Sequence, residues 1–106
     1  MFIALEVSFE VLEKLVPIET RIRRRSLRLA KQLASASESV SLNLGEGSAR
    51  RDGDQRRHYE MAAGSAVEVG IALRIAVSKQ YVTRDELADV EASLDRLRGL
   101  MHGLTH

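Results

Sequence analysis

The sequence predicts an all-α fold, an antiparallel up-down four-helix bundle formed by a single domain over residues 1–106. Three observations predict it. Apolar residues recur at spacings of three, four and seven along nearly the whole chain, the period of an amphipathic helix. Only four residues are aromatic, Phe2, Phe9, Tyr59 and Tyr81, so the core must be built from Leu, Val, Ile and Ala. The breaks in the pattern are short, and a short link forces consecutive helices to lie antiparallel.

The first helix carries Leu5, Phe9, Leu12, Leu15, Val16 and Ile22 on its predicted inner face, with Glu6, Glu10, Glu13 and Lys14 outside it. Pro17 has no N–H to donate to residue 13. Because Ile22 keeps the period, the helix is expected to continue, kinked, to about residue 22. A turn follows within Arg23–Ser26. The second helix is expected over 27–44, with Leu29/Ala30, Leu33, Ser37, Val40 and Leu44 facing inward. Its middle, Ala34 to Ser39, is nearly all small, which suits a closely packed neighbour. Gly45 and Gly47 are expected to end it, as glycine does at C-caps.

Residues 48–53 read as a polar loop. Asp52 with Gln55 has the spacing of a variant capping box for the third helix. That helix, about 54–80, shows Tyr59, Ala62, Ala63, Ala66, Val69, Leu73, Ala76 and Val77. Gly64 and Gly70 each cost about 1 kcal/mol against Ala in a helix interior. Both are expected where a neighbouring helix packs closely. Thr83 and Glu86 form a capping box for the fourth helix, whose stripe is Leu87, Val90, Leu94, Leu97, Leu100/Met101 and Leu104.

The composition narrows the function. There is no cysteine, which excludes disulfides, thiolate metal sites and thiol nucleophiles. The N-terminal Met-Phe-Ile-Ala-Leu lacks a basic lead and meets Glu6, so it does not read as a signal peptide. No run reaches the roughly 20 apolar residues of a membrane span. A cytoplasmic protein with no membrane association is expected. The three histidines, His58, His102 and His106, follow Gln55, Gly99 and Gly103 at three residues' distance, so the Glu-x-x-His pairs of two-metal bundles are missing. No zincin, P-loop lysine or nucleophile-elbow motif occurs. The expectation is no enzyme, no metal and no cofactor. An enzyme reading would have to assemble Glu46, Glu68 and His58.

Charge is distributed unevenly although the net charge is +1. Residues 1–20 carry net −3, residues 21–57 net +6 and residues 58–106 net −2. Six of the eleven residues 21–31 are basic and none is acidic. Arg21, Arg24, Arg25, Arg28 and Lys31 recur at helical spacing, and Arg50, Arg51, Arg56 and Arg57 bracket the next loop. Guanidinium forks suit phosphate, and with no aromatic among them the expected contact is to nucleic-acid backbone, not to stacked bases. A charge run is also what a solvated helix face looks like. Gly45-Glu46-Gly47-Ser48 before Arg50 and Arg51 could be a phosphate nest, but Glu46 would repel the ligand, and a glycine helix stop is the plainer reading.

Three pieces occur in order: Gln32 with a small-residue helix into Ser39-Val40-Ser41-Leu42-Asn43-Leu44-Gly45-Glu46-Gly47-Ser48, the basic pair Arg50-Arg51, and Ala63-Gly64-Ser65-Ala66-Val67-Glu68, followed by Tyr81. Over about residues 27–82 the chain resembles the bacterial four-helix-bundle family of rRNA intervening-sequence proteins. A relative of that family is the accessory variability determinant protein of diversity-generating retroelements. Gly45 departs from the Ala usual there, which is expected to loosen the end of helix two. The resemblance implies a homopentamer with a central opening, association with RNA or DNA, and in the retroelement branch a reverse transcriptase partner.

The motif residues Asn43, Glu46, Gly47, Gly64, Ser65 and Glu68 have a structural and a functional reading. In the structural one, Asn43, Glu46 and Glu68 fix the end of helix two against helix three, while Gly64 and Ser65 pack on Ala34–Ser39. In the functional one they line a ligand or metal site. Two function classes stand beside the enzyme reading: an oligomeric nucleic-acid-binding accessory protein, and a scaffold that binds only protein.

Overall fold

A computed structural model describes all 106 residues. Four helices, α1 (Ile3–Arg23), α2 (Leu27–Ser48), α3 (Asp52–Ser78) and α4 (Arg84–Thr105), form an all-α bundle 42 × 23 × 20 Å in extent. Each helix packs on the next and α4 closes on α1, so α1 lies diagonally across from α3. The α1–α2 and α3–α4 turns share one end: Arg25 lies 5.3 Å above the Tyr81 ring and Arg21 pairs with Glu86. The α2–α3 turn shares the other end with both termini, where the Phe2 and Tyr59 rings are 5.8 Å apart and Arg56 donates to the Thr105 carbonyl at 3.3 Å.

The caps explain the boundaries. Ser26 Oγ accepts from the Leu29 amide at 3.1 Å and starts α2. The expected capping box opens α4: the Thr83 amide donates to Glu86 Oε1 at 2.8 Å, and the Glu86 amide to Thr83 Oγ1 at 3.2 Å. Helix α3 ends in a Schellman pattern. The Tyr81 amide reaches the Ala76 carbonyl and the Gln80 amide the Val77 carbonyl, both at 2.9 Å, with Gln80 at φ 62° where glycine is usual.

Four expectations are corrected. Helix α2 does not stop at Leu44; it runs through Gly45 and Gly47 to Ser48. Of its final carbonyls, Gly45 O accepts from Ser48 Oγ, Glu46 O from the Ala49 amide, and Gly47 O from the Arg50 amide and, at 3.1 Å, from Gln55 Nε2 of α3, which also donates to Arg50 O in the turn at 3.1 Å. Gln55 is thereby engaged, so the Asp52–Gln55 capping box does not form, and Arg51 precedes α3 without a side-chain cap. The third correction concerns α1, which does continue through Pro17. It buries Ala4, Val7, Ser8, Val11, Leu15, Ile18 and Ile22, leaving Phe9 and Val16 exposed. Two apolar stripes coexist on α1, and the one holding small Ala4 and Ser8 turns inward. Ser8 Oγ meets Ser41 Oγ of α2 at 2.8 Å, a contact a Phe-bearing face would prevent.

The fourth concerns the glycines of α3. Gly64 is exposed and a Cβ there would touch nothing within 4 Å. Gly70 is covered by the Arg98 guanidinium of α4, not by a closely packed helix backbone.

The core is aliphatic as expected, with Leu15, Ile22, Leu33, Leu44, Leu73, Leu87, Leu97 and Met101 fully enclosed. The predicted stripes of α2 and α4 are its inner faces. Buried Ser93 is satisfied between α1 side chains, accepting from Lys14 Nζ at 2.7 Å and donating to Glu10 Oε2 at 2.8 Å. Helix α3 is long and apolar enough to cross a membrane by length and composition, and its inner face packs in this core.

Candidate nucleic-acid interface and the α2–α3 seam

Ser39, Asn43 and Gly47 stand four residues apart and form one line on α2 facing α3. Asn43 Nδ2 donates to Ser39 O at 3.0 Å and to Ser39 Oγ at 3.1 Å, which directs its carbonyl oxygen to His58 Nδ1 at 3.1 Å. Ser65 Oγ donates to Ser39 Oγ at 2.9 Å. At Gly47 the Tyr59 ring lies directly on the backbone, and a Cβ would approach its Cε1 to 2.7 Å. Burial raises the Tyr59 phenol above its ordinary range. Asn43, Gly47 and Ser65 therefore join two helices.

The other motif residues do not join them. Glu46 is exposed and holds Arg50 on its own side at 3.3 Å. Glu68 is exposed with no ion pair and borders the α2–α3 groove beside Gln32 and Ile71. Gly64 packs against nothing. The ligand set Glu46, Glu68 and His58 does not assemble, and no three His, Asp or Glu side chains lie close enough to hold a metal ion. Sequence reasoning missed Ser39 as a partner of Asn43 and Gln55 as the clasp of the α2–α3 turn. The i,i+4 spacing of Ser39 and Asn43 was the available signal.

The basic residues divide between the two ends of the bundle. Arg21, Arg24, Arg25, Arg28 and Lys31 surround the α1–α2 turn; Arg50, Arg51, Arg56 and Arg57 surround the α2–α3 turn, the length of α2 away, about 30 Å. The turn at 24–26 also breaks the single stripe that a continuous helix would make. The second group is largely engaged. Arg50 pairs with Glu46 and, at 3.7 Å, with Asp54; Arg57 pairs with Asp54 at 3.0 Å and Arg56 with Glu60 at 3.0 Å. The Arg57 hydrogen bond, with Arg57, Arg50 and His58 nearby, holds Asp54 below the usual carboxylate range. Only Arg51 there has no acidic partner.

At the first end Arg21 is taken by Glu86, whose pKa is lowered chiefly by the Thr83 amide bond and further by Arg21. Arg25 covers Tyr81, so an aromatic does stand among these arginines, brought there by the fold. Arg24, Arg28 and Lys31 are exposed and unpaired. Lys79 and Arg84 of the neighbouring turn are exposed and unpaired beside them, though the sequence places both in a net-acidic segment.

These features define a class: a helical bundle zipped by polar residues between its second and third helices, with unpaired cations gathered at one end. The chain belongs to the 23S rRNA-intervening sequence protein family, whose model matches residues 2–103. A solved structure of a protein of unknown function from the S23 ribosomal protein family of Bacteroides thetaiotaomicron shares the fold, with a TM-score of 0.88 at 16% identity. The match covers 96% of this chain and 97% of that one. No curated protein matches the sequence.

Proposed function

We propose that this chain is a non-enzymatic, oligomeric accessory protein of the cytoplasm that binds the phosphate backbone of RNA or DNA through the basic end of its bundle. The observation that carries the reading is that Arg24, Arg28 and Lys31 stand exposed without an acidic partner, with Lys79 and Arg84 beside them. Five unpaired cations across an end about 20 Å wide make a local positive field although the whole chain is near neutral. The aromatic in that patch is half-buried under Arg25, which favours phosphate contact over base stacking. The family's name associates it with 23S rRNA. The homopentamer that the resemblance implies would repeat the field around a ring, and the resemblance to the retroelement accessory protein makes a reverse transcriptase a candidate protein partner.

The test is filter binding of RNA and DNA as salt is raised. Backbone binding is expected to fall steeply with salt, and the Arg24→Glu/Arg28→Glu/Lys31→Glu triple variant to lose it while keeping its helical circular dichroism. Binding by the triple variant equal to wild type would overturn the reading. A protein-only scaffold is the second reading, supported by the exposed apolar residues of α3; it predicts an assembled particle that retains no nucleic acid at any salt.

A further inference from the structure

The core takes the α1 stripe that holds Ala4 and Ser8, and so leaves a second apolar stripe of α1 outside. Leu5, Phe9, Leu12 and Val16 follow one another at spacings of four, three and four, along one face of the helix. Leu5 and Leu12 are half-buried, while Phe9 is 42% and Val16 60% exposed. The stripe is three turns long, about 16 Å. Leu42 of α2, 68% exposed, lines the same groove as Leu5 and Phe9. This α1–α2 groove encloses about 340 Å³, and its small residues Gly45 and Ala49 leave it open.

The rim of the groove is acidic. Glu6 stands three residues before Phe9 and Glu13 four after it; Glu38 stands four before Leu42 and Glu46 four after it. All four carboxylates are exposed, and of these only Glu46 has an ion-pair partner, Arg50. Residues 1–20 and 32–49 together carry six glutamates and a single cation. That cation, Lys14, is turned to α4, where it meets Asp89 and Ser93. Glu19 of α1, raised first by burial, is raised further by Glu38 of α2, so negative charge gathers between the two helices.

We infer that this groove is the docking site for a basic amphipathic helix of another protein, whose apolar stripe lies along Phe9 and Leu42 and whose cations face Glu6, Glu13, Glu38 and Glu46. Helix-in-groove recognition uses apolar anchors at i, i+3 or i+4, and i+7, and three turns of exposed stripe accept such a set. The carboxylates select the sign of the partner's charge. They repel nucleic acid and anionic lipid. A second copy of the chain offers no matching helix. Beside Arg28 and Lys31, on the first two turns of α2, Leu27 is the one exposed large apolar side chain. The exposed apolar side of α3 carries Glu68 and Arg74, whose charges cancel. The inference goes beyond the nucleic-acid reading, because this face has the opposite charge to the basic end.

The experiment is calorimetric titration of the full chain with a synthetic helical peptide, leucine at i, i+3, i+4 and i+7 and lysine elsewhere. Saturable binding of one peptide per chain is expected. A peptide of the same composition in scrambled order lacks the stripe, and one with glutamate for lysine lacks the charge match; each should bind at least about tenfold more weakly. The Phe9→Ser/Leu42→Ser and Glu38→Lys/Glu46→Lys variants should each bind the first peptide at least about tenfold more weakly than wild type. All four positions are exposed, and circular dichroism checks that each variant folds. The titration contains no nucleic acid, so its outcome is independent of the basic end. Absence of saturable binding, equal binding of the scrambled peptide, or unchanged binding by either double variant would overturn the inference. So would a change in particle mass by light scattering in the Phe9→Ser/Leu42→Ser variant, which would give the groove to a second copy.

Discussion

The ring of Tyr59 on α3 rests on the backbone of Gly47 on α2, so closely that a methyl group at 47 would fall 2.7 Å from Cε1 and 2.8 Å from Cδ1. A buried ring cannot swing aside without moving the helix that carries it. Gly47→Ala is therefore expected to destabilise the protein by about 1–3 kcal/mol, the range of an overpacked contact. Two residues earlier Gly45 has open space where a Cβ would go, so Gly45→Ala should stabilise by up to about 1 kcal/mol through helix propensity. Urea unfolding of the pair gives opposite signs for the same chemical change.

Asn43 and Glu46 are both polar residues of the same motif, with different duties. Asn43→Ala removes the acceptor of His58 and the donor to Ser39, and is expected to cost about 1–3 kcal/mol. Glu46→Ala loses one exposed ion pair and should change stability by less than about 1 kcal/mol. Thermal unfolding followed by circular dichroism separates them.

Gln80 holds a left-handed conformation, φ 62°, at the position after the C-cap of α3. Relieving that strain against the greater unfolded-state freedom of glycine leaves a net gain, so Gln80→Gly should stabilise by about 0.5–1 kcal/mol. Differential scanning calorimetry at one pH is sufficient to see it.

Two carboxylates respond to pH in opposite senses. Glu86 sits at the α4 N-terminus with its pKa lowered first by the Thr83 amide, so folding favours its ionised form. Its contribution is present above the ordinary carboxylate pKa and is lost as pH falls through the lowered folded value. Glu86→Gln should therefore lower stability at pH 7 and make no difference at strong acid. Glu19 is raised by burial and then by Glu38, with Arg23 opposing. Folding disfavours its charge, a penalty that sets in as pH rises past the ordinary value. Glu19→Gln should raise stability at pH 7, with the difference vanishing below about pH 4. Stability measured from pH 2 to 8 for both variants checks each sign.

Local interactions made much of the fold legible. The Thr83–Glu86 box is a three-residue pattern, and its bonds form within one turn of helix. The inner stripes of α2 and α4 are single and clean, so period alone assigns their faces. Half of the candidate seam was legible for the same reason: Asn43, Gly47 and Ser65 belong to spaced motifs. Its partners were not, because His58, Tyr59 and Gln55 reach α2 only after the chain has turned.

What the amino-acid order determined by itself is the number of helices, their links and the aliphatic character of the interior, because helix period and capping act over a few residues. Tertiary structure decided the rest. On α1 two apolar stripes compete, and the fit of Ser8 to Ser41 selects one. The glycines at 45 and 47 look like a stop, and only Tyr59 and Gln55 from the next helix show why α2 continues. The +6 segment is continuous along the chain, but a bundle 42 Å long carries its halves to opposite ends, where carboxylates engage most of the second half and little of the first. Side chains distant in sequence meet only when helices pack, so facing, pairing and exposure are properties of the assembled bundle.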